Sequence, residues 1–209
     1  MAKINRLVLA KSIYKASSRL TFVQKIKSIG RPIISPISCV LTFIPKKSKL
    51  LDIGCGNGTL IYLISKFNKI DYAYGYDISK QAIKNSLLAN TNVDKYQISY
   101  KKIQPKNFNI ITLLDVIHHI PKHKQDDFLK KIISSMDIGA TFIVMDINAS
   151  NMIGRWSNQL HDLIISKEWV HPKKMQDMLY VLECLGLKVI HKSKHQSFWY
   201  SHYIIVAKK

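Results

Sequence analysis

Three short segments concentrate the side chains able to do chemistry. They are Leu51-Asp52-Ile53-Gly54-Cys55-Gly56-Asn57-Gly58, then Tyr74-Gly75-Tyr76-Asp77-Ile78-Ser79, then Leu113-Leu114-Asp115-Val116-Ile117-His118-His119-Ile120. The first reads as a buried strand that turns on glycines into a helix starting near Thr59, a turn in which the backbone can approach a nucleotide-like ligand closely. Two ligand classes compete for such a turn. A dinucleotide site wants GxGxxG with its pyrophosphate at the helix N-terminus, but here Thr59 holds the third glycine's place. Asp52, two residues before Gly54, would repel a pyrophosphate by ~1 kcal/mol or more at close range. A cationic ligand reverses that sign. S-adenosylmethionine, with a sulfonium, an amino group and no phosphate, matches the charge.

Asp77 ends the second strand about 20 residues beyond the glycines, where a carboxylate can accept both hydroxyls of a ribose. Ile78 is placed to lie against an adenine, and Ser79 to cap the helix that follows. In the third segment, His118 and His119 follow a strand end that should face the reacting group. A histidine there can take a proton from a hydroxyl or protonated amine.

The elements that must position these residues follow from periodicity. Apolar runs alternate with helical patterns from Lys49 onward, the signature of an α/β fold with a doubly wound parallel sheet. Strands are expected at Lys49 to Ile53, Tyr72 to Asp77, Gln97 to Tyr100, Phe108 to Asp115 and Thr141 to Ile147. Phe128, Leu129, Ile132, Ile133 and Met136 form one apolar helical stripe. Met175, Met178, Leu179, Leu182 and Leu185 form another, opened by Pro172 in the first turn and closed by Gly186. Two closing runs, Leu187 to His191 and Tyr200 to Ala207, are too close for a parallel crossover and imply an antiparallel hairpin.

These three motifs and the closing hairpin resemble the class I S-adenosylmethionine-dependent methyltransferases of small-molecule type over residues 49 to 209. The resemblance implies a seven-stranded Rossmann-like sheet with its last strand antiparallel. It implies that Asp52, Gly54, Cys55 and Gly56 cradle the methionine end of the cofactor, that Asp77 and Ile78 hold the adenosine, and that Leu114 and Asp115 line the methyl-transfer side. The acid that often meets the adenine after the third strand is missing from Tyr100-Lys101-Lys102-Ile103-Gln104-Pro105, where Gln104 is the substitute. Asp115, His118 and His119 also resemble the strand-four pattern of quinone-pathway O-methyltransferases, in which such groups can hold a divalent metal. Metal-free transfer is the default expectation.

Residues 1–47 read as a basic helical extension and connector, and residues 48–209 as the methyltransferase domain. Residues 3 to 30 show basic residues among apolar ones at helical spacing, with no acid before Asp52. Pro32, Pro36 and Pro45 should make residues 31 to 47 irregular. The segment Ala149 to His171, with Trp156, His161, Asp162, Glu168 and Trp169, suits a lid over the acceptor or a loop anchored by its tryptophans. Phe198, Trp199, Tyr200 and His202 are assigned to the core and sheet edge.

The net charge of +19 favours anionic partners. A small-molecule acceptor, phosphorylated, lipid or quinone-like, is preferred. A nucleic-acid methyltransferase is the rival. Against it, the chain has no NPPY-like or DPPY-like tetrapeptide and no Pro-Cys nucleophile. A non-catalytic cofactor-binding module and peripheral membrane contact through the basic N-terminus are further readings. Cys39, Cys55 and Cys184 form neither a disulfide framework nor a zinc set, and no apolar run reaches the ~20 residues of a span. A cytoplasmic protein without a signal peptide is expected.

Overall fold

Seven strands form one mixed sheet in the order β3-β2-β1-β4-β5-β7-β6. The computed structural model describes residues 4–17, 20–68, 70–87, 95–149, 170–197 and 200–209. The expected lid, from Trp156 through Trp169, and the pair Phe198 and Trp199 lie outside the described residues. The strands are β1 Lys49–Ile53, β2 Tyr72–Tyr76, β3 Tyr96–Ser99, β4 Ile110–Leu114, β5 Thr141–Ile147, β6 Lys188–Ser197 and β7 Tyr200–Lys208. β1 pairs with β2 and β2 with β3 in parallel, whereas β7 pairs antiparallel with both β5 and β6. The hairpin inferred from the short connection is therefore present. The chain divides into two compact units, Met1–Ile103 with Phe108–Thr112 and Gln104–Asn107 with Leu113–Lys209.

In the first unit, α1 (Arg6–Ala16) starts at Asn5, whose side chain accepts from the Leu7 amide at 2.8 Å. Leu9 and Ile13, one turn apart, are fully buried, and the Tyr62 hydroxyl of α4 (Thr59–Leu63) donates to the Ser12 carbonyl at 3.0 Å. Burying each such aliphatic side chain contributes roughly 1.5–3 kcal/mol. Helix α2 (Phe22–Ile34) corrects the expected connector, because it runs through Pro32. Proline there forfeits one donor only two residues before the helix ends, and the Ser35 amide closes the last turn on the Arg31 carbonyl at 2.9 Å. Residues 37–43 continue as α3 (Ile37–Val40) and a 3-10 turn, Leu41–Phe43, with Ile37, Val40 and Leu41 buried. Apolar burial outweighs the proline signal.

In the second unit, α6 (Lys122–Ser134) buries Leu129, Ile132 and Ile133. The Lys209 ammonium donates to the carbonyls of Ile133, Ser134 and Met136 at 2.8, 3.0 and 2.8 Å, a cation at a helix C-terminus. Helix α7 (Met175–Cys184) begins after Lys174, so Pro172 precedes it rather than opening it. Gly186, at φ 83°, follows its end. β6 extends to Ser197, well past the expected His191, through Lys192-Ser193-Lys194-His195-Gln196. That run is polar because β6 is an edge strand, where lysines discourage further pairing. The remaining helix of the first unit, α5, spans Lys80–Lys84.

Candidate functional site

In the first unit the site is built on the carboxyl end of β1. Asp52 sits in a strand that is buried from Leu50 to Ile53, is only 3% exposed itself, and accepts from the Thr112 hydroxyl at 2.7 Å. Burial raises its pKa from 3.8 to about 7, with the Thr112 hydrogen bond and the Arg31 guanidinium lowering it and the Asp77 charge raising it. Burial outweighs both lowering influences, so a cation brought to this carboxylate would favour its ionised form.

The turn that follows needs glycine. Gly54, Gly56 and Gly58 have φ of 72°, 57° and 79°, in the left-handed region. The amides of Gly54 and Cys55 donate to the Tyr76 carbonyl at 2.9 and 3.1 Å, tying the turn to β2. Asp77 completes the tie: its two carboxylate oxygens accept from the Gly56 and Ser79 amides, each at 2.8 Å. A carboxylate offers about four lone-pair sites, so two such bonds leave acceptor capacity for ligand hydroxyls. Ser79 caps α5, its hydroxyl accepting from the Ala82 amide at 3.2 Å. Ile78 is 95% exposed at this edge.

Cys55 is buried, and burial with the Asp52 and Asp77 charges pushes its thiol far above the ordinary range, so it remains protonated and is not a nucleophile. Its side chain explains Gly75: a Cβ there would stand 2.7 Å from both Cys55 Cβ and Ile61 Cδ1. The glycine in Tyr74-Gly75-Tyr76 is a packing requirement of the loop.

The sequence reading missed what α2 brings to this loop. Ser28 Oγ accepts from the Asn57 side-chain amide at 2.8 Å, and Arg31 Nη1 lies 3.8 Å from where a Cβ on Gly56 would stand. Arg31 is also a cation whose charge acts on Asp52, lowering its pKa. The only signal was its presence among basic residues, which does not say which of them points inward.

In the second unit, Asp115 follows buried Leu114 at the end of β4 and adopts φ 57°, a left-handed conformation uncommon outside glycine and found at sites that constrain the backbone. Its amide donates to the Met145 carbonyl at 2.8 Å, and its Oδ1 is 3.5 Å from His202 Nε2 of β7. The 3-10 turn Ile117–His119 is held by Asp146 of β5. Asp146 Oδ2 accepts from the amides of Ile117 and His118 at 2.8 and 3.3 Å, and Oδ1 from the Ile147 amide at 2.7 Å while pairing with His118 Nδ1. Gln125, also buried, places its Nε2 3.1, 3.0 and 2.8 Å from the carbonyls of Ile117, Ile120 and His171.

The two adjacent histidines therefore differ in kind. His118 is 4% exposed and locked to Asp146, whereas His119 is exposed, its ring centroid 4.1 Å from that of His118. Asp115 and His118 each face a different partner, and among the described residues no group of three His, Cys, Asp or Glu is placed to hold a metal ion. Asp146 and His202 were not anticipated as site residues. A lone carboxylate in Phe142-Ile143-Val144-Met145-Asp146-Ile147 repeats the pattern of Asp52 in β1, and was the available signal.

A family model described as a methyltransferase domain matches residues 27–192. O-methyltransferase 3 of Dictyostelium discoideum is 24% identical over 118 residues, which is 51% of this chain and 27% of that protein, so the alignment spans about a quarter of the curated relative's length. Among solved structures, a SAM-dependent methyltransferase from Methanosarcina mazei is similar at a TM-score of 0.64 and 16% identity, covering 82% of this chain and 96% of that one. Magnesium protoporphyrin IX methyltransferase from Synechocystis, solved with bound SAH, is similar at a TM-score of 0.68 and 16% identity, covering 95% of this chain and 93% of that one.

Proposed function

The chain belongs to the methyltransferase-domain family, and from that premise we propose that it transfers a methyl group from S-adenosylmethionine to the oxygen or nitrogen of a small-molecule acceptor. The observation that carries this reading is the buried Asp52 carboxylate beside the glycine turn, which suits a cation and opposes a phosphate. The donor set fits the cofactor. Asp52 would answer the positive charge of its methionine end, the backbone at Gly54, Cys55 and Gly56 would allow close approach, and Asp77 would hold its ribose hydroxyls. Exposed Ile78 supplies an apolar surface for adenine. Bound S-adenosylmethionine supplies an electrophilic methyl carbon with a neutral thioether as leaving group.

The chain's own residues orient and deprotonate. His119, the exposed imidazole, takes the acceptor's proton. His118, fixed by Asp146, is a positioning residue that backs His119, and the family resemblance assigns Leu114 and Asp115 to the methyl-transfer side. An anionic acceptor, such as a phosphorylated metabolite or an anionic lipid, agrees with the charge of +19. Magnesium protoporphyrin IX, named for the similar Synechocystis methyltransferase, is a small molecule, in keeping with this class of acceptor.

Calorimetric titration tests the reading. S-adenosylmethionine and its demethylated product should bind, and NADH should not; preference for NADH would overturn the assignment at its first motif. A second prediction concerns Arg31, which lies beside Gly56. It should hold the carboxylate of the cofactor's methionine end by a charge-assisted hydrogen bond. Arg31→Gln should then weaken S-adenosylmethionine about tenfold. It should leave decarboxylated S-adenosylmethionine unaffected. Equal losses for both ligands would show that Arg31 acts only through the loop.

A further inference from the structure

We propose that the outer face of α1 and α2 is a docking surface for an anionic lipid bilayer. This inference stands independently of the methyl-transfer reading. On α1, Leu7, Val8, Lys11, Tyr14 and Lys15 are all exposed, and their spacing of i, i+1, i+4, i+7 and i+8 makes them one stripe. The opposite side of the same helix, Leu9, Ala10, Ser12 and Ile13, is buried. On α2, Phe22 and Ile26 stand one turn apart with Phe22 78% exposed. The Lys25 ammonium lies 4.5 Å from the Tyr14 ring centroid, which joins the two stripes into one surface. Five large apolar side chains thus face solvent among lysines, an arrangement that scattered surface hydrophobics do not produce.

Charge selects the occupant. Residues 1–51 contain eleven Lys and Arg and no Asp or Glu. Two copies of such a face would repel each other, which disfavours self-association. Nucleic acid would use the lysines but has no use for exposed Leu7, Val8 and Ile26, since its backbone contacts are made to phosphate oxygens. An anionic bilayer uses both, apolar groups entering the acyl boundary while lysines meet the headgroups. No helix among the described residues is long and apolar enough to cross a membrane, so the contact is one that lies on the surface. The inner face of α2, where Ser28 meets Asn57, is separate from the docking stripe.

The test uses the whole chain and co-sedimentation with vesicles of phosphatidylcholine alone or mixed with phosphatidylserine. Binding should appear only with phosphatidylserine and weaken with added salt. Each replacement of Lys11, Lys15 or Lys25 by Gln should lower partitioning about fivefold. Phe22→Ser combined with Ile26→Ser should lower it about tenfold or more. Both variant sets should keep the wild-type melting profile and cofactor affinity, because the altered side chains lie on the exposed face. No binding to phosphatidylserine vesicles overturns the proposal, as does wild-type binding by either variant set. Two further outcomes overturn it in favour of another occupant: RNA binding that needs the lysines but not Phe22 and Ile26, or a dimer that the paired serine substitutions dissociate.

Discussion

Asp52→Asn is expected to stabilise the chain while weakening S-adenosylmethionine by about 30-fold or more. The two effects have one origin. The buried carboxylate is raised to about 7, so between its ordinary 3.8 and that value the folded chain binds more protons than the unfolded one. Stability on this group's account is therefore highest below about pH 4 and falls as pH rises toward 7, by on the order of 1.4 kcal/mol per pH unit within the window. Asparagine keeps the acceptor for Thr112, whose hydroxyl is 2.7 Å away, without burying a charge. It also removes repulsion from Asp77 and attraction to Arg31, which partly offset each other. The variant's advantage in melting temperature should thus be absent near pH 4, grow toward pH 7 and then level off. Wild-type affinity for the cofactor should rise with pH across the same range, because binding the cation requires the ionised form. Melting curves and titrations at pH 4, 6 and 8 check both signs. A variant no more stable than wild type at pH 8, or one that binds the cofactor equally well, would sink the account.

Asp146→Ala should have the largest effect in the second unit. Its carboxylate accepts from the amides of Ile117, His118 and Ile147 and pairs with the His118 ring, all of them buried or at the buried turn. Removing it leaves these donors without their acceptor and should cost about 3 kcal/mol or more, a fall in Tm of roughly 6–12 °C for a chain of this length. Loss of the turn's geometry should also reduce kcat about 100-fold, with cofactor affinity nearly unchanged. Asp146→Asn should not rescue it, because one acceptor oxygen becomes a donor facing backbone N–H groups. His118→Gln separates positioning from packing: it should lower kcat and shift its pH profile with a smaller loss of Tm. Retention of both Tm and kcat in Asp146→Asn would refute the role.

The fold was legible where periodicity and packing agree. β1 and β5 occur where their apolar runs place them, because a strand buried on both faces has no polar alternation to blur its limits. Proline misled at residue 32, since its cost near a helix end is small beside the burial of Ile37, Val40 and Leu41 just beyond it. β6 was underestimated because an exposed edge strand is polar by necessity.

The sequence by itself determined the glycine turn, the charge that chooses its ligand, and the carboxylate that closes the second strand. Each of these is local: Asp52, Gly54 and Gly56 lie within five consecutive residues, and Asp77 follows at a spacing set by one helix and one strand. Only the tertiary structure decided that, among the described N-terminal cations, Arg31 meets the glycine loop. It alone divided His118 from His119 by pairing the former with Asp146, 28 positions away, and set His202 against Asp115 across 87 positions. Helix rotation is fixed by which apolar residues are buried, and strand neighbours by sheet order; neither is written in the spacing of the polar residues that they bring together.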